Sequence, residues 1–239
     1  MKALFITGGA KRLGREIVLK FAKEGFDICF TYLTSENEAV KTKREVEKLG
    51  RKCLALKGDL RDINDILMFR EEFFKNFKKC DCLINNAGIF YKTPLNKIEE
   101  KDFEEIMNIN LKAPIFISKY FSEKMLEAKE GVIINIADVA GSVPWKNYIV
   151  YNISKAGLIM FTKILAKELA PYIRVCGVAP GPVLMPDYFK EEDKKKSIEK
   201  TLLKRVGKPE NIADTCYFIY KNDYITGTVI YVDGGRSAF

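Results

Sequence analysis

Short apolar runs alternate with longer amphipathic segments along almost the whole chain. Runs of five to seven residues, rich in Val, Ile, Leu, Phe and Cys, predict buried strands. They lie at 3–7, 27–32, 53–57, 81–85, 132–136, 173–179 and 227–232. Between them, apolar residues recur at helical spacing over 12–24, 36–49, 63–77, 99–129 and for about five turns from Tyr148. The alternation predicts an α/β fold, a single Rossmann-like, doubly wound parallel sheet with helices on both faces. We expect one domain over residues 1–239.

The composition narrows the possible functions. The 239 residues are 47% apolar and include six scattered cysteines and no histidine. Without histidine, Ser-His-Asp and Cys-His mechanisms are excluded, and we predict no metal site. The net charge of +8 is spread over helices that also carry acids, which indicates a solvated surface rather than nucleic-acid binding. No run approaches membrane-spanning length and no basic-then-apolar leader precedes the first strand, so we expect a cytoplasmic protein without a membrane partner.

Three side chains predict a site of proton transfer. Tyr151 and Lys155 are four residues apart on the predicted helix, so they project from one face. Asp138 precedes Tyr151 by thirteen residues and follows the strand 132–136. All three should therefore meet at the carboxyl ends of parallel strands, where ligands bind in such sheets. A neighbouring ammonium stabilises a phenolate and makes a tyrosine a better acid-base catalyst. The alternative is a surface tyrosine and lysine on an amphipathic helix.

A glycine-rich turn after the first strand predicts a dinucleotide site. Residues 8–14 open a helix, where backbone amides and the helix dipole favour a pyrophosphate. NAD-binding sheets place an acid at the end of the second strand, but 31–35 hold no carboxylate. Ser35 could donate to a 2′-phosphate there, and Arg12 could supply charge and stack on adenine. We therefore expect NADPH rather than NADH. Arg12 could instead be only an exposed residue of the first helical turn.

Seven short motifs occur in a characteristic order. They are Thr7-Gly8…Gly14, Gly58-Asp59-Leu60, Asn85-Asn86-Ala87-Gly88, Asn108-Ile109-Asn110, Tyr151-x-x-x-Lys155, Pro180-Gly181 and Asp233-Gly234-Gly235. Together the motifs resemble the short-chain dehydrogenase/reductase family over essentially the whole chain.

The resemblance implies an NAD(P)-dependent oxidoreductase of a small-molecule substrate, usually a homotetramer. It implies that Asp59 accepts a hydrogen bond from the adenine amine, that Lys155 holds the nicotinamide ribose, and that Asn110 positions a water in a proton relay. Helix 156–169 would pack against a partner subunit. The further implied cofactor contacts are Gly8, Leu13, Gly14, Leu60, Asn86, Ala87, Gly88, Tyr151, Pro180, Gly181 and Val183.

One position departs from the family pattern. Asp138 stands where the family's catalytic serine is expected. An ionised carboxylate cannot donate a hydrogen bond to a developing oxyanion, and its charge opposes an alkoxide. Reduction of a C=N bond develops no oxyanion, so Asp138 favours an imine-type substrate. The alternatives are a 3-oxoacyl-thioester or general ketone reductase that tolerates Asp138, and a dinucleotide sensor without chemistry. An intact Tyr151, Lys155 and Asn110 argue against a sensor.

The same departure resembles the pteridine reductases within this family. They share the aspartate, an arginine in the first turn, and the segment Phe90-Tyr91-x-Thr93-Pro94-Leu95. The resemblance implies that Phe90 stacks on a pterin, whereas the simpler interpretation is that Phe90 caps the core. Thr34 and Gly88 differ from the usual pteridine reductase residues. Residues 184–203 are predicted to form a substrate lid, with Leu184, Met185, Tyr188 and Phe189 available to contact the substrate.

Overall fold

The strands form one parallel sheet whose order places a crevice at its centre. The computed structural model describes residues 2–185 and 189–238, and in these residues the sheet has seven strands in the order β3-β2-β1-β4-β5-β6-β7. The chain moves outward from β1 to β3 and then returns to pair β4 with the other side of β1. This reversal is the switch point at which parallel α/β sheets bind ligands. The strands are β1 Lys2–Ile6, β2 Phe26–Tyr32, β3 Cys53–Lys57, β4 Cys82–Asn85, β5 Val132–Ile136, β6 Arg174–Pro180 and β7 Val229–Val232.

Helices cover both faces of the sheet, as predicted. In β1, Leu4 and Ile6 face one core cluster, while Ala3 and Phe5 face the other. This alternation is the two-residue period of a strand. The first cluster packs under α1, α2 and α8, and the second under α3, α5 and α6. The helices are α1 Arg12–Lys23, α2 Glu36–Lys48, α3 Ile63–Asn76, α4 Glu100–Met107, α5 Ala113–Ala128, α6 Ile149–Leu169, α7 Glu191–Glu199 and α8 Pro209–Lys221.

The long helical stretch predicted over 99–129 forms, and it is divided in its middle. A π-helical turn, Asn108–Lys112, separates α4 from α5, and the amide of Ala113 donates to the carbonyl of Asn108. Pro114 supplies a physical reason, because it has no N–H to donate to the carbonyl of Asn110 four residues earlier. The α-helical hydrogen bond to that carbonyl cannot form, and the widened turn lies beside the cleft described below.

One sequence expectation about membranes needs correction. By length and composition, α6 could cross a membrane, since its 21 residues include an 18-residue window of mean hydropathy 1.3. Its inner face packs on the sheet, where Leu158, Ala166 and Leu169 are buried. An apolar helix of this kind is also found in the core of globular proteins, so its composition alone is weak evidence for a membrane.

Candidate active site

A cleft of about 500 Å³ opens at the carboxyl ends of the central strands. It brings together side chains from the first turn, from the ends of β2 to β6 and from α6. Asn110 is absent from its lining, because its side chain is fully buried behind Ile89. The predicted residues that line the cleft are Gly8, Arg12, Leu13, Gly14, Ser35, Asp59, Leu60, Asn86, Ala87, Gly88, Phe90, Asp138, Tyr151, Lys155, Pro180, Gly181, Val183 and Leu184.

Tyr151, Asp138 and Lys155 meet in the middle of this cleft. The Tyr151 hydroxyl donates to Oδ2 of Asp138 at 2.9 Å, and the amide of Ala140 donates to Oδ1 at 2.7 Å. The Lys155 amine donates to the carbonyl of Ile136 at 2.9 Å and lies 5.8 Å from the centroid of the Tyr151 ring. The helical spacing of Tyr151 and Lys155 and the extended backbone at Asp138 together produce this arrangement.

Burial changes the proton affinity of both charged members of this site. Burial lowers the pKa of Lys155 to about 8, although the negative charge of Asp138 acts in the opposite direction. Burial also raises the pKa of Asp138, against the hydrogen bond from Ala140 and the positive charge of Lys155. An amine that can lose its proton and a carboxyl group that can keep one therefore flank the same phenol, which is an arrangement typical of acid-base sites.

Asn110 is fixed by its side chain. Its Oδ1 accepts from the amide of Ile89 at 2.9 Å, and its Nδ2 donates to the carbonyl of Ile89 at 3.0 Å and to Oγ of Ser154 at 3.2 Å. Both ends of the side-chain amide are thus engaged by protein groups, and the role of Asn110 toward a water stays a prediction.

The first turn fits a dinucleotide because its backbone is closely packed and its amides open α1. Gly8 has a φ of +66°, and a Cβ at Gly14 would lie 2.0 Å from the carbonyl oxygen of Gly8. Asn86 braces the turn from β4, since its Nδ2 donates to the carbonyls of Thr7 and Gly8 at 2.9 and 3.1 Å. The turn thus leaves a small-residue surface at a helix N-terminus, where a pyrophosphate is stabilised.

Arg12 reaches toward the predicted lid. It adopts a left-handed φ of +52°, and its Nη2 lies 3.3 and 3.4 Å from the carbonyl oxygens of Leu184 and Met185. The cleft extends past Lys11 and Thr34 to Ser35, with no carboxylate among residues 31–35. The roles of Arg12 and Ser35 toward a 2′-phosphate stay predictions.

Arg61 is a neighbour of Asp59 that no sequence motif singles out. Its guanidinium donates to both carboxylate oxygens of Asp59 at 2.6–3.0 Å, and this contact lowers the pKa of Asp59. Arg61 also pairs with Glu105 of α4 at 3.5 Å, and Glu105 accepts from the hydroxyl of Tyr91 at 3.0 Å. An adenine amine at Asp59 would therefore share a carboxylate that is already in an ion pair.

Phe90 belongs to an aromatic cluster at the side of Tyr151. Its ring stacks on Tyr148, with centroids 4.6 Å apart and planes 7° apart, and meets Tyr151 edge to face at 4.7 Å. Thr93 fixes this segment, because its amide donates to the carbonyl of Asn147 and its hydroxyl accepts from the amide of Val150. Phe90 thus packs against the protein and also lines the cleft, so both sequence interpretations retain support.

A second cavity of about 470 Å³ adjoins the catalytic residues on the side of Arg12, Phe90, Asp138 and Tyr151. It is closed by the loop 181–185, by Phe189 and by two residues that the sequence did not single out, Trp145 and Ser197. Tyr188, a predicted lid residue, lies outside the described residues. The mixture of apolar walls with one carboxyl group, two hydroxyl groups and a guanidinium suits a small organic substrate.

A doubly wound sheet with a glycine-rich first turn and a Tyr-Lys pair at its switch point defines a dinucleotide-dependent oxidoreductase. Residues 2–197 match the sequence profile of the short chain dehydrogenase family. The chain belongs to this family and is an NAD(P)-dependent oxidoreductase.

Individual relatives agree with this membership. The chain is 32% identical over 239 residues to a 3-oxoacyl-[acyl-carrier-protein] reductase of Staphylococcus aureus, with 98% of this chain and 97% of the relative covered. A blue fluorescent protein from a metagenomic library, solved in complex with NADPH, superimposes with a TM-score of 0.91 at 32% identity and covers 99% of this chain and 98% of its own. A mutant short-chain dehydrogenase/reductase of Serratia marcescens has the same TM-score and coverage at 30% identity.

Proposed function

We propose that the protein is an NADPH-dependent reductase of a C=N bond in a pterin-like or other imine-type substrate. The observation that carries this proposal is the contact of Asp138 with the Tyr151 hydroxyl at 2.9 Å, at the junction of the two cavities. A carboxyl group with a raised pKa attracts a basic nitrogen and can share a proton with it. When ionised, the same carboxyl group does not stabilise an alkoxide, because both groups carry negative charge.

The residues divide the proton transfer between them. NADPH held at the first turn, beside Gly8 and Gly14, would supply a hydride to the substrate carbon. Tyr151 donates its phenolic proton to the substrate nitrogen, and the Lys155 ammonium stabilises the phenolate that remains. Asp138 holds the nitrogen in place through the same proton network. Asn110 positions the water through which Tyr151 recovers a proton.

The choice of NADPH depends on the end of β2. Ser35 and Thr34 line the cleft there, and no carboxylate among residues 31–35 repels a 2′-phosphate. Lys11 and Arg12 line the same cleft and supply positive charge. The structural relative that was solved with NADPH supports this assignment.

A second candidate is reduction of a 3-oxoacyl thioester. The 3-oxoacyl-[acyl-carrier-protein] reductases at 32% identity favour it. In that case Asp138 would have to act protonated, as a hydrogen-bond donor to the substrate oxygen. Burial raises the pKa of Asp138, which favours this protonated form.

The two candidates are separated by substrate assays on the parent and on Asp138→Ser. We expect the parent to oxidise NADPH with dihydropterin and other cyclic imines faster than with acetoacetyl thioesters. Asp138→Ser should lose imine reduction and gain ketone reduction. Tyr151→Phe serves as the control without a proton donor and should be inactive on both. An unchanged preference in Asp138→Ser contradicts the role of Asp138.

The proposal includes a homotetramer in the cytoplasm. On the outer side of α6, Ile153, Met160 and Ile164 are about half exposed and form one stripe at helical spacing. A second subunit that covers this stripe would bury it.

Six free, buried cysteines accord with a reducing compartment. We further propose residues 184–203, which contain α7, as the substrate lid.

A further inference from the structure

Three segments that are distant in the chain meet at the outer wall of the substrate cavity. Trp145 lies in the loop before α6, Ser197 lies on α7, and Arg236 begins the short turn after β7. The Arg236 guanidinium carbon lies 4.8 Å from the centroid of the Trp145 ring. Its Nη1 donates to the carbonyl of Ser197 at 3.0 Å and lies 3.3 Å from the Ser197 hydroxyl. Arg236 therefore joins the loop and the helix to each other.

Trp145 and Ser197 line the cavity that also contains Asp138 and Tyr151. Trp145 meets Phe90 edge to face at 5.9 Å and Tyr148 at 6.1 Å, so its ring continues the aromatic cluster beside Tyr151. Arg236 thus contacts two residues of the cavity wall from behind, and any displacement of its side chain would loosen both.

The positive charge of Arg236 also acts on Asp138. Arg236 is half-buried, and its positive charge acts to lower the pKa of Asp138, while burial of that carboxyl group acts more strongly in the opposite direction. The other charged or titratable groups that act on Asp138 are Tyr151 and Lys155, both from α6. Arg12 lines the same cavity from the first turn.

We propose that Arg236 is a positioning residue of this site, which holds Trp145 as a wall of the substrate cavity and fastens α7 across it. The planar guanidinium is suited to both contacts at once, because it can stack on an indole and donate a hydrogen bond from its edge. Lysine could retain the charge but not the combination of stacking and directed donation. The proposal rests on the proposed function only in taking this cavity as the place where substrate binds.

Trp145 is the only tryptophan in the chain, so indole fluorescence reports on this contact directly. The variants are Arg236→Met, Arg236→Lys and, as a matched control for lost charge, Arg44→Met on the exposed side of α2. In the enzyme without ligands, we expect acrylamide quenching of Trp145 to rise about twofold in Arg236→Met and to stay at the parent value in Arg44→Met. Arg236→Lys should show increased quenching as well, because the stacked guanidinium is lost.

Kinetics then separate positioning from general damage. With whichever substrate the parent reduces, Arg236→Met should raise KM about tenfold, as expected for loss of one partly desolvated cation-π contact, and change kcat by less than about threefold. The acid limb of the pH profile should move to higher pH in Arg236→Met and stay near the parent in Arg236→Lys, which keeps the positive charge beside Asp138.

The result that overturns the proposal is parent-like quenching together with parent-like KM in Arg236→Met. If that variant does not fold by circular dichroism, Arg236→Lys decides, and unchanged quenching in it refutes the stacking role. Quenching is measured without substrate. Failure of the imine assay with increased quenching in these variants would therefore refute the proposed substrate and leave the role of Arg236 supported.

Discussion

Replacement of Lys155 by methionine tests the electrostatics of the site. Lys155 is 4% exposed, and its amine has one protein acceptor, the carbonyl of Ile136. Methionine has a similar length and carries no charge. We expect Lys155→Met to lose reductase activity. We also expect its free energy of unfolding to change with pH differently from that of the parent.

The size of the pH effect follows from the buried amine. Its pKa is about 8 in the folded protein and 10.5 ordinarily. The folded parent therefore binds fewer protons than the unfolded chain between these values, and its free energy of unfolding rises with pH there. Linkage gives a rise of about 2 to 3 kcal/mol between pH 7 and pH 10. Lys155→Met lacks the amine and therefore lacks this rise. The free energy of unfolding of the parent minus that of Lys155→Met should thus increase by this amount between pH 7 and pH 10.

The assay is urea unfolding followed by circular dichroism at several pH values from 7 to 10. Taking the difference between two proteins cancels the titration of all groups that they share. Lys163→Met is the matched control, because Lys163 is an exposed lysine on the same helix. Its difference from the parent should be nearly constant with pH. A constant difference for Lys155→Met as well would refute the argument that burial lowers the pKa of this amine.

Three further changes test other parts of the structure. Gly14→Ala places a Cβ 2.0 Å from the Gly8 carbonyl oxygen, so we expect the free energy of unfolding to fall by about 2 kcal/mol or more. NADPH binding measured by calorimetry should also weaken, and Gly207→Ala serves as a milder control. Asp138→Asn removes a carboxyl group whose pKa is raised by burial. Because of this raised pKa, the free energy of unfolding of the parent should fall as the pH rises above the ordinary carboxyl range. We expect urea unfolding curves of Asp138→Asn to lack this fall. Ile164→Glu on the exposed stripe of α6 should shift the mass measured by light scattering to smaller assemblies, and an unchanged tetramer would exclude this face as the interface.

The fold was predictable because its signals are local. A strand such as β5, with five consecutive buried residues, identifies itself by composition, and the alternation with helices determines the sheet type. The division of the helical stretch 99–129 was not predicted, for a different reason. Helical periodicity continues through Asn108–Lys112, and only the missing N–H of Pro114 indicates that the turn must widen there.

The site was predictable where spacing along one element brings side chains together, as for Tyr151 and Lys155, or where a motif marks a turn. It was not predictable where residues meet across the fold. Arg61 and Arg236 were two among many basic side chains, and nothing in the sequence indicates that one pairs with Asp59 and the other stacks on Trp145. A weak signal for Arg236 existed in its position directly after the Asp233-Gly234-Gly235 motif.

The same burial acts in opposite directions on the two charged groups beside Tyr151. It lowers the pKa of Lys155 to about 8 and raises that of Asp138, so the proton affinities of the amine and the carboxyl group approach each other. A ketone reductase needs only the Lys155 amine beside the phenol, because the product oxygen takes one proton from Tyr151. A substrate nitrogen that is itself basic benefits from a second group that holds or releases a proton near the same pH. A buried carboxyl group in contact with the phenol therefore supports the proposed C=N substrate, whereas a C=O substrate would use this group only in its protonated form.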